Sequence, residues 1–385
     1  MQPFFGVRAL SLICFALSSL IAVGAVQAQV PAPDLAARAW LLLDTNSGQI
    51  ITERDSNMPV EPASLTKLMT AYLAFAALKQ HTITLEQKVN VSKTARAASG
   101  SRVSSMFLDL RIPVSVNDLL HGMIIQSGND ASILLAETVS GSEAAFVELM
   151  NREAQRMGLT NTRFANATGL PDRQHVSTAH DLSILATRLI ADFPEFYPIY
   201  AQREFTYNNI TQPNRNLLLR TDPSVDGLKT GHTESAGFCL IASAKRNDRR
   251  LLSVVLGATS DVARAQESLK LLNYGYQYFD AIKLYAAQQA VSTPQVWKGA
   301  SNTVKIGFAH DFYVTVPRGS GARLKAQLAL PQKLIAPLST GQTVGKLIIT
   351  LDDKVMQEVP IATLEDVPLA GVFGRAWDTI KLWVK

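Results

Sequence analysis

From Leu65 to Leu78 the chain is apolar nearly all round a helical projection. A helix with no polar face cannot lie on a surface, so the pattern predicts a helix enclosed at the centre of a domain. Enclosure needs further elements on every side. A chain of 385 residues, 47% hydrophobic and 18% charged, has the material for a large domain of this kind and a smaller one beside it. One charge interrupts the run: Lys67, three residues after Ser64 in Ser64-Leu65-Thr66-Lys67, where Pro62 and Ala63 place the serine at the first turn.

Residues i and i+3 share a helix face, so the Lys67 amine falls beside the Ser64 hydroxyl. Serine needs a base to become a nucleophile, and lysine acts as one only when neutral. Burial lowers the pKa of an amine, and a second cation nearby, Lys229, is expected to lower it further. The helix N-terminus offers unpaired N–H groups to an oxyanion formed on an attacked carbonyl. Taken alone, an S-x-x-K is equally a helix cap followed by a surface lysine, but two further short motifs follow it. Ser127-Gly128-Asn129 falls in a turn between two apolar helical runs, where a hydroxyl can relay a proton and the Asn129 amide can hold a substrate backbone. Ser115-Val116-Asn117 also fits S-x-N and reads instead as the cap of the helix carrying Leu119 and Leu120. Lys229-Thr230-Gly231 reads as an edge strand. There Lys229 offers charge and Thr230 a hydroxyl to an anionic substrate, Gly231 lets a substrate backbone approach, and the His232 N–H is a second oxyanion donor.

Other chemistry finds little support. The six histidines lack ligand spacing and no phosphate-binding loop is present, so neither metal nor cofactor is expected. His175 and His180 read as structural, and Cys239 as a small buried hydrophobe. The net charge of +5 is spread along the chain, which argues against a nucleic-acid partner.

Arg8 followed by the apolar Ala9 to Val26, with Val26-Gln27-Ala28 as a cleavage site, reads as a secretory signal peptide over 1–28; a retained anchor is the competing reading. Cleavage leaves Cys239 as the one cysteine, so no intramolecular disulfide is expected. Hairpins are predicted at Ala39 to Arg54 and at Phe238 to Ala244 with Leu251 to Leu256. Helices are predicted at Leu119 to Ile125, Ala131 to Val139, Ser183 to Ile190 and Ala263 to Phe279. The fold class is therefore α+β, an antiparallel sheet with helices on its faces. After Ala290, short alternating runs at Val304 to Ile306, Tyr313 to Val316, Leu324 to Leu328 and Leu347 to Thr350 predict a small all-β module. The expected organisation is a catalytic domain over 29–285, a β-rich domain over 290–366 and an amphipathic helix over 367–385. In that helix Trp377, Trp383 and their apolar neighbours oppose Arg375, Lys381 and Lys385, as in a helix lying in a membrane interface.

With Val225-Asp226-Gly227-Leu228 ahead of Lys229, Asn214-Arg215-Asn216, and Phe373-Gly374-Arg375-Ala376-Trp377-Asp378 added to the three motifs, the chain resembles the D-alanyl-D-alanine carboxypeptidases from about Ala39 onward. More narrowly, it resembles low-molecular-mass penicillin-binding proteins with a C-terminal β domain and an amphipathic anchor. The resemblance implies a transpeptidase-like domain of the penicillin-binding protein and serine β-lactamase type. It implies that Ser64 attacks the carbonyl between the terminal D-alanines of a peptidoglycan stem peptide. Lys67 would take its proton and Ser127 would pass one to the departing D-alanine. Asn129, Lys229, Thr230, His232 and Arg264 would bind substrate, Lys229, Thr230 and Arg264 at its carboxylate. β-Lactam antibiotics would acylate the same serine, and the enzyme would sit on the periplasmic face of the inner membrane. A β-lactamase would want Asp in place of Gly128 and a glutamate within Asn166 to Asp181, and this chain has neither. The same motifs also suit an endopeptidase, or a wall protein that binds stem peptides or drugs with little turnover.

Overall fold

Helix α1 (Lys67–Lys79) is enclosed as its apolar surface requires, with only Ala76 and Lys79 outside the buried set. The computed structural model describes residues 31–100, 103–331 and 333–371. The signal-peptide reading over 1–28, and the tryptophans and charges of the expected amphipathic helix, lie outside these residues. A 3₁₀ turn, Ala63–Thr66, precedes α1 and holds Ser64.

The five-stranded antiparallel sheet beside α1 is built from β1 (Ala39–Asp44), β2 (Gln49–Arg54), β3 (Val225–Thr233), β4 (Gly237–Arg246) and β5 (Arg249–Ala258), in the order β2-β1-β5-β4-β3. Every residue of β1 is buried, which requires cover on both faces. Leu41 and Leu43 join the core that contains Leu68 and Phe75 of α1. Leu42 faces the other way, toward α6 (Asp261–Tyr278), where Gly275 has no Cβ because one would stand 2.8 Å from the Leu42 side chain. Both predicted hairpins are present.

After α1, the longer helices between the two parts of the sheet are α2 (Val116–Ile125), α3 (Asn129–Ser140), α4 (Glu143–Met157) and α5 (Ala179–Asp192). Ser115 caps α2 by accepting from Asp118 N at 3.0 Å, so the second S-x-N is a cap as its position suggested. Helix α4, with its Ser142 cap and buried Phe146, Met150 and Ala154, was not among the sequence expectations. Helix α6 stops at Tyr278, and Phe279 already belongs to a strand.

That strand, β6 (Phe279–Tyr285), opens the second module and pairs with β9 (Phe312–Pro317). The module's larger sheet runs β7-β8-β12-β11-β10, from β7 (Ala290–Ser292), β8 (Ile306–Gly307), β10 (Leu324–Ala329), β11 (Thr343–Leu351) and β12 (Lys354–Thr363). Strand β12 was missed, although Asp352 and Asp353 take φ of 53° and 63°, the left-handed pair of a two-residue hairpin turn. Ser47 and Thr315 share a hydroxyl hydrogen bond of 2.7 Å, and Thr315 N donates to Gln49 Oε1 at 2.6 Å, joining the module to the β1–β2 hairpin. The helix expected from 367 does not begin there, because Val367 exchanges backbone hydrogen bonds with Leu338. No described helix is long and apolar enough to cross a membrane.

Candidate active site

The three motifs converge on one cleft of about 610 Å³ between the start of α1, the α2–α3 turn and edge strand β3. Ser64 lines it from the 3₁₀ turn, immediately after Ala63 in the left-handed region at φ 47°. Ser127 is left-handed as well, at φ 63°. Such conformations cost about 1–3 kcal/mol each and persist where the surroundings force them, as at a reactive site. Gly169 explains part of the packing, since a Cβ there would lie 1.8 Å from Ala63 O.

Lys67 is 1% exposed and its Nζ donates to Ser64 Oγ at 2.9 Å, Asn129 Oδ1 at 2.8 Å and Thr168 O at 2.6 Å. These three acceptors match the three N–H bonds of an ammonium. Burial, with Arg215 adding to it, lowers its pKa from 10.5 to about 7, and Asp130 opposes the fall. Lys229, the second cation expected to act on it, does repel it, and Arg215 adds a cation that the sequence reading gave no such role. Lys229, also buried, donates to Ser127 Oγ at 2.9 Å and Thr230 O at 3.1 Å. Its pKa falls well below 10.5, from burial first and then from Lys67, Arg215 and Arg264.

Thr230 is buried on the cleft wall, and Arg264, in the first turn of α6, donates to Gly231 O at 3.1 Å. His232 is exposed, and its ring packs on Phe238 at 4.0 Å between centroids, with the Arg264 guanidinium 5.6 Å from the same Phe238 ring. Gly231 has a packing role beyond the one expected of it. The missing Cβ would meet Pro62 O at 3.1 Å and Ala63 at 3.3 Å, so the glycine lets β3 close on the serine turn. His175 lies beneath the cleft. Ala165 N donates to its Nδ1 at 3.4 Å, which puts the ring proton on Nε2, 2.8 Å from Thr66 Oγ1. Burial lowers its pKa to about 4, so the ring is neutral and structural at pH 7. His180 stands apart, 3.5 Å from Asp181, and burial pushes the Cys239 thiol pKa up, consistent with an inert core residue.

All eight candidate residues meet at or beside this cleft. Sequence reasoning missed Arg215 and Thr168 as site residues. Arg215 stands between Asn214, whose Nδ2 donates to Gln202 O at 3.0 Å, and Asn216, whose Nδ2 donates to Gly227 O at 2.9 Å. Two buried asparagines flanking an arginine are the signal that it is being aimed. Thr168 serves through its backbone oxygen, which leaves no side-chain signature.

The sequence profile of the D-alanyl-D-alanine carboxypeptidases matches residues 25–260. The chain belongs to the D-alanyl-D-alanine carboxypeptidase family. Residues 279–369 match the profile of the penicillin-binding protein 5 C-terminal domain. D-alanyl-D-alanine carboxypeptidase DacC of Escherichia coli is 44% identical over 93% of this chain and 91% of its own length. The crystal structure of penicillin-binding protein 5 from Haemophilus influenzae is 42% identical with a TM-score of 0.84, covering 88% of this chain and all of that one. A Listeria monocytogenes penicillin-binding protein solved with cefotaxime bound is 30% identical with a TM-score of 0.59, over 64% of this chain and 99% of that one. The enzyme is thus a serine D-alanyl-D-alanine carboxypeptidase, with the penicillin-binding protein fold and a C-terminal all-β domain.

Proposed function

We propose that the enzyme removes the terminal D-alanine of peptidoglycan stem pentapeptides through an acyl-enzyme on Ser64, with Lys67 as its base. The observation that carries this is the partner set of Lys67 Nζ. Asn129 Oδ1 and Thr168 O can only accept, so when the amine is neutral its lone pair falls to Ser64, whose hydroxyl alone among the three can donate. Attack moves the hydroxyl proton to Lys67 as the oxygen bonds to the carbonyl carbon. The N–H groups of Ser64 and His232 would receive the oxyanion. Ser127, at Lys229, then relays the proton that Lys67 took from Ser64 to the departing amine, C–N cleavage releases D-alanine and leaves Lys67 neutral again, and water hydrolyses the ester. An arriving substrate carboxylate favours the protonated form of Lys229, beside Thr230 and Arg264, because an anion stabilises the ammonium. Asn129 holds the acyl part.

β-Lactams would acylate the same serine, as the bound cefotaxime of the Listeria relative suggests. We further assign the catalytic domain to 29–285 and the β-rich domain to 290–366, with the signal peptide 1–28 removed on export. The C-terminal amphipathic segment would hold the enzyme at the periplasmic face of the inner membrane. The test is D-alanine release from a stem pentapeptide by the wild type and Ser64→Ala, with penicillin turnover measured in parallel. Release abolished in the variant and slow penicillin turnover are expected. No release by a wild type that penicillin labels stably would replace this reading with that of a binding protein, and rapid penicillin turnover with that of a β-lactamase.

A further inference from the structure

Asp130 follows the S-x-N motif and is fully buried, yet it makes no ion pair among the described residues. A buried carboxylate without a cation needs strong donors. It has four: Ser105 Oγ at 2.7 Å, Ala131 N at 2.9 Å, Met106 N at 3.0 Å and Leu108 N at 3.2 Å. Three of them come from one irregular segment, 105–108, in which Phe107 is left-handed at φ 63°, and Asp130 thereby ties it to the first turn of α3. The residue before that segment closes a second tie, as Asn129 N donates to Ser104 O at 2.8 Å. Asn129 is held on both sides, and its Oδ1 is one of the three acceptors that orient Lys67 Nζ.

Gly128 supports the same picture from the other direction. A Cβ at that position would lie 2.8 Å from Asp130 Oδ1. The middle residue of S-x-N is small here because the carboxylate folds back beneath it.

We propose that Asp130 is a positioning residue for the carboxypeptidase reaction, which fixes the direction of the Lys67 amine through Asn129 and the 104–108 segment and supplies the negative charge that amine faces. The proposal rests on Lys67 being the base. The charged and titratable groups around Lys67 are Asp130 on α3, Arg215 before β3, Lys229 on β3 and His175 before α5, the last kept neutral by burial. Asp130 is the anion acting on the amine, and it raises the pKa that burial and Arg215 lower. Removing it lets the amine lose its proton at lower pH while leaving its direction less fixed.

The experiment uses the full chain and the variants Asp130→Asn, Gly128→Ala and Ser105→Ala. D-alanine release per penicillin-labelled serine is followed from pH 5 to 9. For Asp130→Asn we expect kcat to fall about 10- to 100-fold with KM within about threefold, as for loss of an oriented proton acceptor. Its acid limb should move about one pH unit lower, as for loss of a neighbouring opposite charge. Gly128→Ala, which displaces the carboxylate and keeps its charge, should lower kcat with the limb in place, and Ser105→Ala should do so by only a few-fold. An Asp130→Asn limb at the wild-type pH, or a fall in melting temperature with kcat per labelled serine unchanged, overturns the proposal. Should Asp130→Asn not fold, unchanged kcat in both other variants overturns it. A wild type with no acid limb would instead remove Lys67 as the base, a separate failure.

Discussion

The pH dependence of acylation tests the lysine base most directly. Lys67 has a pKa of about 7, more than three units below the 10.5 of a free lysine. In the proposed mechanism the neutral amine is the active form, so the apparent second-order rate constant should track its population. From that pKa, about nine-tenths of the amine is neutral at pH 8, about one-tenth at pH 6 and about one-hundredth at pH 5. The rate constant should therefore level off above pH 8, halve at pH 7 and fall about tenfold per unit below pH 6. Stopped-flow acylation by a chromogenic β-lactam, with substrate well below saturation, reports ionisation in the free enzyme. Because Lys67 and Lys229 interact, the midpoint belongs to the pair, and it should lie near neutrality. A rate constant flat from pH 5 to 8, or one still rising toward pH 10, would refute the claim that burial prepares this amine as a base.

The same depressed pKa has a consequence for stability. Because folding lowers the amine's pKa, the unfolded chain binds more protons between about pH 7 and 10.5. Stability contributed at Lys67 therefore rises with pH across that window. Relative to Lys67→Met, the wild type should gain about 1.4 kcal/mol per pH unit between pH 7.5 and 9.5, read by urea unfolding; a difference independent of pH contradicts the assignment. Gly169→Ala should destabilise the enzyme by about 2–4 kcal/mol and slow acylation. It places a Cβ against Ala63 O at a residue with φ 84°, next to the Thr168 carbonyl that holds Lys67. A thermal melt and penicillin labelling both unchanged from wild type would show that the loop yields freely.

Where the sequence was legible, one residue's chemistry answered for its surroundings. An apolar run with no polar face forced α1 to the centre, and Ser64, Ser127 and Lys229 each stood in a short motif whose geometry is local. Contributions made through backbone atoms or through packing left no such mark. The Thr168 carbonyl holds Lys67 whatever side chain it bears, and Gly231 serves the contact with Pro62, 169 residues earlier in the chain, a partner no local pattern names. Arg215 carried no role of its own in the sequence, because its electrostatic effect on Lys67 depends on a fold that brings together residues far apart in the chain. Strand β12 escaped notice because Gln357, Glu358 and Pro360 break its apolar alternation, although the two aspartates of its turn announced the hairpin.

The junction between α6 and β6 has a mechanical side. Tyr278 ends the helix and Phe279 starts the strand, with no residue between them to act as slack. At about 1.5 Å per residue, the 18 residues of α6 make a rod about 27 Å long. One end of the rod carries Arg264 into the cleft, and the other is welded to the β module. A pull or twist applied to that module, if not absorbed at the weld, would travel the length of the rod to the arginine that lines the cleft.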